Sequence, residues 1–280
     1  TAPGFVLLDK APALVEKPSD PKAFGVDILN LFEGGAIQTT PYWFFNHPNY
    51  TFDKHINNQF PILQTFNLSV ATTNADTFSS LAAGGRVTVV RLFSERRKGQ
   101  IDSIKKDIIN LLVDMPIDEK AIAKKKAELE YLKSRTSFSA EIAGAIAISA
   151  NNNTFDNLDV NKSGMWLNLR WTPNYKLPID VCGVARYTWA NTSINTDSTF
   201  FDYGISASYS SKELDISLEY VSRNDYSTNQ SYTRFALVSN YMVSKNIVVV
   251  ASIGKDFSQV ENILGVFGVK LAFSNEKMQL

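Results

Sequence analysis

Met165-Trp166-Leu167-Asn168-Leu169-Arg170-Trp171-Thr172, followed after a short break by Ile179-Asp180-Val181-Cys182, decides the fold of this chain. In the first stretch Met165, Leu167, Leu169 and Trp171 share one face of an extended strand, and Asn168, Arg170 and Thr172 share the other. In the second, Ile179, Val181, Ala185, Tyr187 and Trp189 oppose Asp180, Cys182, Arg186 and Thr188. A period of two means that one face meets an apolar medium and the other meets water or fixed charge. Repeated through a whole domain, it is the pattern of a closed antiparallel barrel standing in a membrane.

The alternation runs outward in both directions. Residues 138–150 set Phe138, Ile142, Ile146 and Ile148 against Ser139, Glu141 and Ser149. Tyr203, Ile205, Ala207 and Tyr209 oppose Asp202, Ser206 and Ser208, and Leu214, Ile216, Leu218 and Tyr220 oppose Asp215, Ser217 and Glu219. Strands follow at 232–243, 247–255 and 263–273, and upstream at about 23–32, 36–45, 62–73 and 81–93. The expectation is an all-β transmembrane barrel of about twelve strands, an even number as bacterial single-chain barrels require. Pro41-Tyr42-Trp43-Phe44-Phe45 reads as a strand end at a membrane–water boundary, and Glu33-Gly34-Gly35 as a turn. Residues 46–60 read as irregular.

Between 94 and 137 the period changes. Ile101, Ile104, Ile108, Leu111 and Leu112 recur at helical spacing, and Ile122, Leu129 and Leu132 form a second stripe after Met115-Pro116, with Asp118 as its N-cap. This predicts a helical hairpin inserted between strands four and five. The chain then divides into an extended arm (1–22, with Pro3, Pro12, Pro18 and Pro21), strands one to four (23–93), the hairpin (94–137), strands five to twelve (138–273) and a tail (274–280). Connections at 172–178, 210–213 and 243–246 are short, and those at 151–163, 191–199, 223–230 and 256–262 are longer and polar. Outer-membrane barrels keep short turns on the periplasmic side, so the parity places the hairpin there.

At the last strand, Gly268-Val269-Lys270-Leu271-Ala272-Phe273 resembles the C-terminal assembly signal of outer-membrane β-barrel proteins, with Leu271 and Phe273 at +3 and +5 from Gly268. Val266 stands where that family usually has a polar residue, and the chain continues to Leu280. The Asn-rich connections and the Pro-Tyr-Trp-Phe segment look like Bacteroidota-type barrels. The resemblance implies an outer-membrane location, reached after removal of a signal peptide, and recognition by the barrel-assembly machinery.

Composition limits the chemistry. Lys plus Arg is 28 and Asp plus Glu is 28, leaving no basic surplus for nucleic acid. The single Cys182 reads as a small buried thiol, and the two histidines, His47 and His55, with Asp53 between them, read as solvated loop residues. No phosphate loop or nucleophile elbow is present, Gly84-Gly85 reads as a turn or close-packing pair, and no cofactor or metal is expected. The inward charges are the remaining candidates: Arg86, Glu141, Arg170, Asp180, Arg186, Asp202, Asp215, Glu219, Arg234 and Lys270, with Asp27. They describe either a constriction that sorts solutes or an interior packed shut by paired charges; the balance of signs favours the second. The leading expectation is a non-enzymatic accessory subunit of an envelope complex, reaching partner proteins through the arm and through Ile101, Ile104, Ile108, Leu111, Ile122, Leu129 and Leu132, with lipid around the wall. The alternatives are a passive small-solute channel and, behind it, a hydrolase using His47 or His55.

Overall fold

The strand pattern closes on itself. A computed structural model describes residues 1–18, 22–30, 34–74, 78–113, 117–151, 158–173, 177–192, 196–211, 213–257 and 263–273. The twelve strands are β1 (Phe24–Leu29), β2 (Gly34–Thr39), β3 (Asn67–Asn74), β4 (Phe78–Leu92), β5 (Phe138–Asn151), β6 (Leu158–Trp171), β7 (Ile179–Thr192), β8 (Thr196–Ser210), β9 (Leu214–Asp225), β10 (Gln230–Ser244), β11 (Ile247–Lys255) and β12 (Ile263–Phe273). Each pairs antiparallel with its neighbours in sequence, and β1 pairs with β12 from Phe24 opposite Phe273 to Leu29 opposite Gly268. Closure leaves no sheet edge in lipid, where an unpaired backbone group could find no partner.

The two faces are as the alternation requires. Leu167, Leu169, Trp171, Ile205, Tyr209, Leu218 and Tyr220 are exposed on the outside, while Asn168, Arg170, Ser206, Ser208 and Glu219 are buried within. The structure is thus an outer-membrane-type barrel, with apolar residues outward and polar residues inward. A bulge between Thr88 and Val90 resets the phase of β4, so that Arg91 turns inward and Leu92 outward.

Several local expectations are corrected. Among the described residues, three of the polar stretches expected to be long connections contain strand: β5 runs to Asn151 and β6 begins at Leu158, β7 ends at Thr192 and β8 begins at Thr196, and β9 reaches Asp225. Polar side chains beyond the lipid are in water on both faces, so alternation fades there while the ladder continues. Gly34 opens β2 instead of forming a turn. Pro41–Phe44 is a 3-10 turn, not a strand end. Residues 46–60 contain a helix, α2 (Phe52–Asn57), capped by the Thr51 hydroxyl on the Lys54 N–H, and 62–65 form a short helix, α3 (Ile62–Thr65), ahead of β3. The Met115-Pro116 break and the 274–280 tail lie outside the described residues.

The hairpin consists of α4 (Glu95–Val113) and α5 (Glu119–Lys133), with Asp118 capping the Ala121 N–H at 2.9 Å. Its apolar stripes are spent internally. Ile101, Ile104, Ile108 and Leu129 form one core with Phe52 and Ile56 of α2 and with Phe93, and Leu132 packs against it. Ile122 is buried too and Leu111 half-buried, so this stripe is not a free partner surface; Ile109, Leu112, Val113 and Ile117 are the exposed apolar residues near the hairpin tip.

Candidate functional site: a lumen closed by the N-terminal arm

The arm, expected to reach outward, is folded inside the barrel. From its exit at Pro18 it climbs to Asp9, turns there with φ of 57°, and comes back as a short helix, α1 (Pro3–Leu7). Ala2, Phe5, Val6, Leu7, Ala11, Leu14 and Val15 share one core with inward residues of the wall. Full burial of each large apolar side chain contributes about 1.5–3 kcal/mol.

The wall makes room for α1 with small residues. Ala71, Ala82, Gly84, Ala145 and Gly164 face inward around it. A Cβ on Gly84 would stand 2.9 Å from that of Pro3 and 2.7 Å from the Gly144 carbonyl, and one on Gly4 would meet the Ala71 Cβ at 2.7 Å. Gly84 is therefore a close-packing glycine inside a strand, one of the two roles the sequence allowed it.

On the opposite side the wall is charged, and nearly every inward charge holds the arm. At the top, Asp9 meets Arg186 at 2.6 Å, Lys162 at 2.7 Å and Arg223 at 2.8 Å. Asp202 holds Arg186 (2.7 Å) and Arg223 (2.8 Å) from behind, and Arg186 also donates to the Val6 carbonyl. Burial alone would raise the Asp9 carboxyl, but Arg223, Lys162 and Arg186 outweigh it and hold Asp9 well below the usual carboxylate range.

Lower down, Arg234 donates to the carbonyls of Ala11 (3.1 Å) and Pro12 (3.0 Å), and pairs with Glu219 at 3.2 Å. Glu219 in turn accepts the backbone N–H groups of Leu14 (3.0 Å) and Val15 (3.1 Å). Proline-broken backbone with no helix or sheet of its own needs such partners when buried. At the returning end, Glu16 lies 2.8 Å from the Thr1 nitrogen and 3.4 Å from Arg86. Asp27 accepts from the Ala2 N–H at 2.9 Å and from Gln38 at 2.8 Å, and Lys270 donates to the Thr1 hydroxyl at 3.0 Å. Glu141 accepts from Asn168 at 3.3 Å.

At the base, where the arm leaves, Lys17 meets Asp180 at 2.5 Å and Asp215 at 3.3 Å. Asp180 also holds Arg170 (3.1 Å) and Arg135 (3.6 Å). Arg135 sits at the root of the hairpin and donates to the Leu177 carbonyl at 3.0 Å, and Arg170 donates to the Ser134 carbonyl at 3.1 Å. Arg97, at the start of α4, donates to the Arg135 carbonyl; burial first, then the Arg135 and Arg170 charges, bring its guanidinium down to about 10. Arm exit and hairpin root thus converge on one carboxylate.

The structure therefore brings all ten inward charges singled out in the sequence into one lumen, although as the socket of a plug. Lys162 and Arg223 belong to the same set but lie at 151–163 and 223–230, stretches whose polar composition reads as loop. Continuing the parity of Arg170 back to Lys162, and of Glu219 on to Arg223, is the signal that finds them. Cys182 is buried on the lumen side. Gly268, Leu271 and Phe273 lie on β12 where it pairs with β1 and β11.

The histidines are not brought together as a reactive pair. His47 stacks on Tyr42 with ring centroids 3.8 Å apart, and its Nε2 lies 2.7 Å from the Tyr42 carbonyl oxygen. His55 is on the buried face of α2, with its Nδ1 3.3 Å from the Tyr50 hydroxyl, rather than solvated as expected. Asp53 pairs with Lys105 of α4 at 2.6 Å. Among the described residues no group of His, Cys, Asp and Glu is arranged to hold a metal ion.

No protein-family model matches the chain, and no curated protein matches it. Among solved structures it is similar to the KdgM porin, at 11% identity over 89% of this chain and 97% of that one, with a TM-score of 0.47. It is also similar to the NanC porin, at 6% identity over 90% and 98% of the two chains and a TM-score of 0.45. An anion-selective porin from Comamonas acidovorans is similar at 13% identity over 86% of this chain and 59% of that one, with a TM-score of 0.35. Likeness at that level says nothing about solute or partner.

Proposed function

We propose that this protein is a non-enzymatic outer-membrane barrel of the passive-channel type whose conduit is held shut by its own N-terminal arm. The observation that carries this reading is the division of labour in the lumen. The charged lining belongs to the wall strands, which close into a ring through their own ladder, while the obstruction is one terminal segment held by side-chain contacts. Without the arm, the wall is a conduit with both signs of charge along it, the kind of lining that sorts small solutes.

The test is ion selectivity in a planar bilayer, recorded from the barrel freed of residues 1–18. Arg186→Gln removes a positive charge from the lining, so the reversal potential in a salt gradient should move toward cation preference. An unchanged reversal potential in a folded, conducting barrel would remove Arg186 from the conduction path. A folded barrel that never conducts would remove the channel reading.

A second reading, an accessory subunit of an envelope complex, is favoured by one feature. Arg135 at the hairpin root and Lys17 at the arm exit share Asp180, so a partner seated on α4 and α5 would act directly on the closed arm. Under this reading purification in mild detergent yields a stoichiometric companion, which is lost when residues 99–131 are replaced by a short linker. Purification of the chain alone counts against it.

A further inference from the structure

The wall is unequal in height. β1 and β2 have 6 residues each and β3 has 8, against 15 in β8 and β10. At about 3.4 Å per residue and a tilt of about 40°, six residues rise only roughly 15 Å along the membrane normal, short of the apolar band of about 25 Å that such barrels present. β11, with 9 residues, rises roughly 23 Å and comes close to the band, and the remaining strands span it. Between β2 and β3, at the base of this low sector, lies the segment that holds the 3-10 turn, α2 and α3.

That segment takes up the line of the wall. β4 continues below the end of β3, and its edge is covered not by a strand but by residues 59–65: the Gln59 carbonyl accepts the Arg91 N–H at 2.9 Å, and the Thr65 hydroxyl accepts the Thr88 N–H at 3.0 Å. The Trp43 indole donates to the Gln64 carbonyl at 2.9 Å and fixes the 3-10 turn against α3. With its polar groups satisfied in this way, the segment turns apolar side chains outward. Phe45 is 73% exposed, Leu63 70% and Phe60 64%, with Phe44 and Ile62 also open. These continue through Phe66, at the end of α3, into Leu68 and Val70, the lipid-facing residues of β3. Residues 34–46 and 56–75 contain no Asp, Glu, Lys or Arg.

We propose that the 41–66 segment is a membrane-embedded foot, which completes the lipid-facing wall beneath the three short strands. Its partner is the acyl–headgroup boundary of the leaflet at the barrel base. The commitment to lipid follows from continuity with the lipid belt of β3, from the missing height that the foot restores, and from the lack of charge in residues 41–46 and 56–66; the two charged residues between them, Asp53 and Lys54, lie on α2, where Asp53 pairs with Lys105 of α4. A surface meeting a protein in water would carry a polar, charged rim, whereas an uncharged apolar face beside a bilayer sinks into it. The aromatic residues near the base on other strands, Trp171, Tyr209 and Tyr241, mark the level at which it sits.

The proposal rests on the transmembrane reading of the barrel, and its test separates the two. Leu63→Cys and Phe45→Cys, each in a Cys182→Ser background and labelled with a small polarity-sensitive fluorophore, are folded as whole chains into phosphatidylcholine vesicles with brominated acyl chains. Ile205→Cys, on the lipid face of β8, and Lys106→Cys, exposed on α4, serve as references. The Leu63 and Phe45 labels should be quenched to within about twofold of the Ile205 label, and the Lys106 label should not be quenched. Foot labels that behave like the Lys106 label while the Ile205 label is quenched would overturn the foot alone. An unquenched Ile205 label would overturn the membrane barrel itself, and the foot with it.

Discussion

A chain lacking residues 1–18 is expected to conduct where the intact chain is silent: planar bilayers should show no steps with the intact protein and discrete ohmic steps with the shortened one. The wall does not need the arm to close. β1 begins at Phe24, after the deleted segment, and its pairing with β12 and β2 is entirely backbone ladder. What the deletion removes is the apolar filling of the lumen, from Ala2 to Val15, and the arm-side partners of Arg234, Glu219 and Asp180. Those side chains would be costly if stranded in a dry interior, but the space the arm vacates fills with water and solvates them. The shortened chain should therefore still fold, as retained β-sheet circular dichroism and heat-modifiable migration would show. A folded, silent barrel would mean that the lumen stays closed without the arm, and the channel reading would fall with it.

The second large effect is expected at Asp9. This carboxylate is the single acidic group that the arm sets among Lys162, Arg186 and Arg223, and Asn at this position leaves three cations with only Asp202 between them. Breaking one side of such a buried pair typically costs about 3–5 kcal/mol. At about 1.36 kcal/mol per tenfold, this shifts the equilibrium between seated and released arm by roughly two to nearly four orders of magnitude. Asp9→Asn should convert a silent channel into one that flickers open, with the arm open to protease from the end that Asp9 faces. No change in either readout would show that the apolar contacts of α1 suffice to hold the arm.

The pH dependence of closure has a definite sign. Burial would raise the folded-state pKa of Asp9, but Arg223, Lys162 and Arg186 outweigh it and depress it. A depressed carboxylate contributes stability that is fully present above its ordinary pKa, about 4, and is lost as pH falls through the lowered value. Closure should hold from about pH 8 to about pH 5 and weaken only in stronger acid. Opening near pH 6 would point to a different group.

How much of this was legible beforehand divides along a physical line. The barrel, its strand number, the sidedness of Leu167 against Arg170, and the hairpin between β4 and β5 all follow from local periodicity, since a strand between lipid and a polar lumen must alternate residue by residue. The helix-forming stretches at Phe52–Asn57 and Ile62–Thr65 were not read, because one or two turns carry too little period to stand out from irregular chain. The lumen charges could be listed and read as closing the interior, yet what they hold could not. Arg186, Arg223 and Lys162 converge on a residue more than 150 positions earlier in the chain, and no local pattern encodes that meeting.

The sequence by itself determined a wall, through a period of two that only a ring between lipid and a polar lumen satisfies. Tertiary structure alone decided what fills it. Residues 1–18 have almost no secondary structure of their own, and their place is set by the fit of Pro3 and Gly4 against Ala71, Ala82 and Gly84 and by Asp9 among three cations on other strands. Those terms are complementarities between distant segments, and they exist only once the barrel has closed and brought its inner faces together.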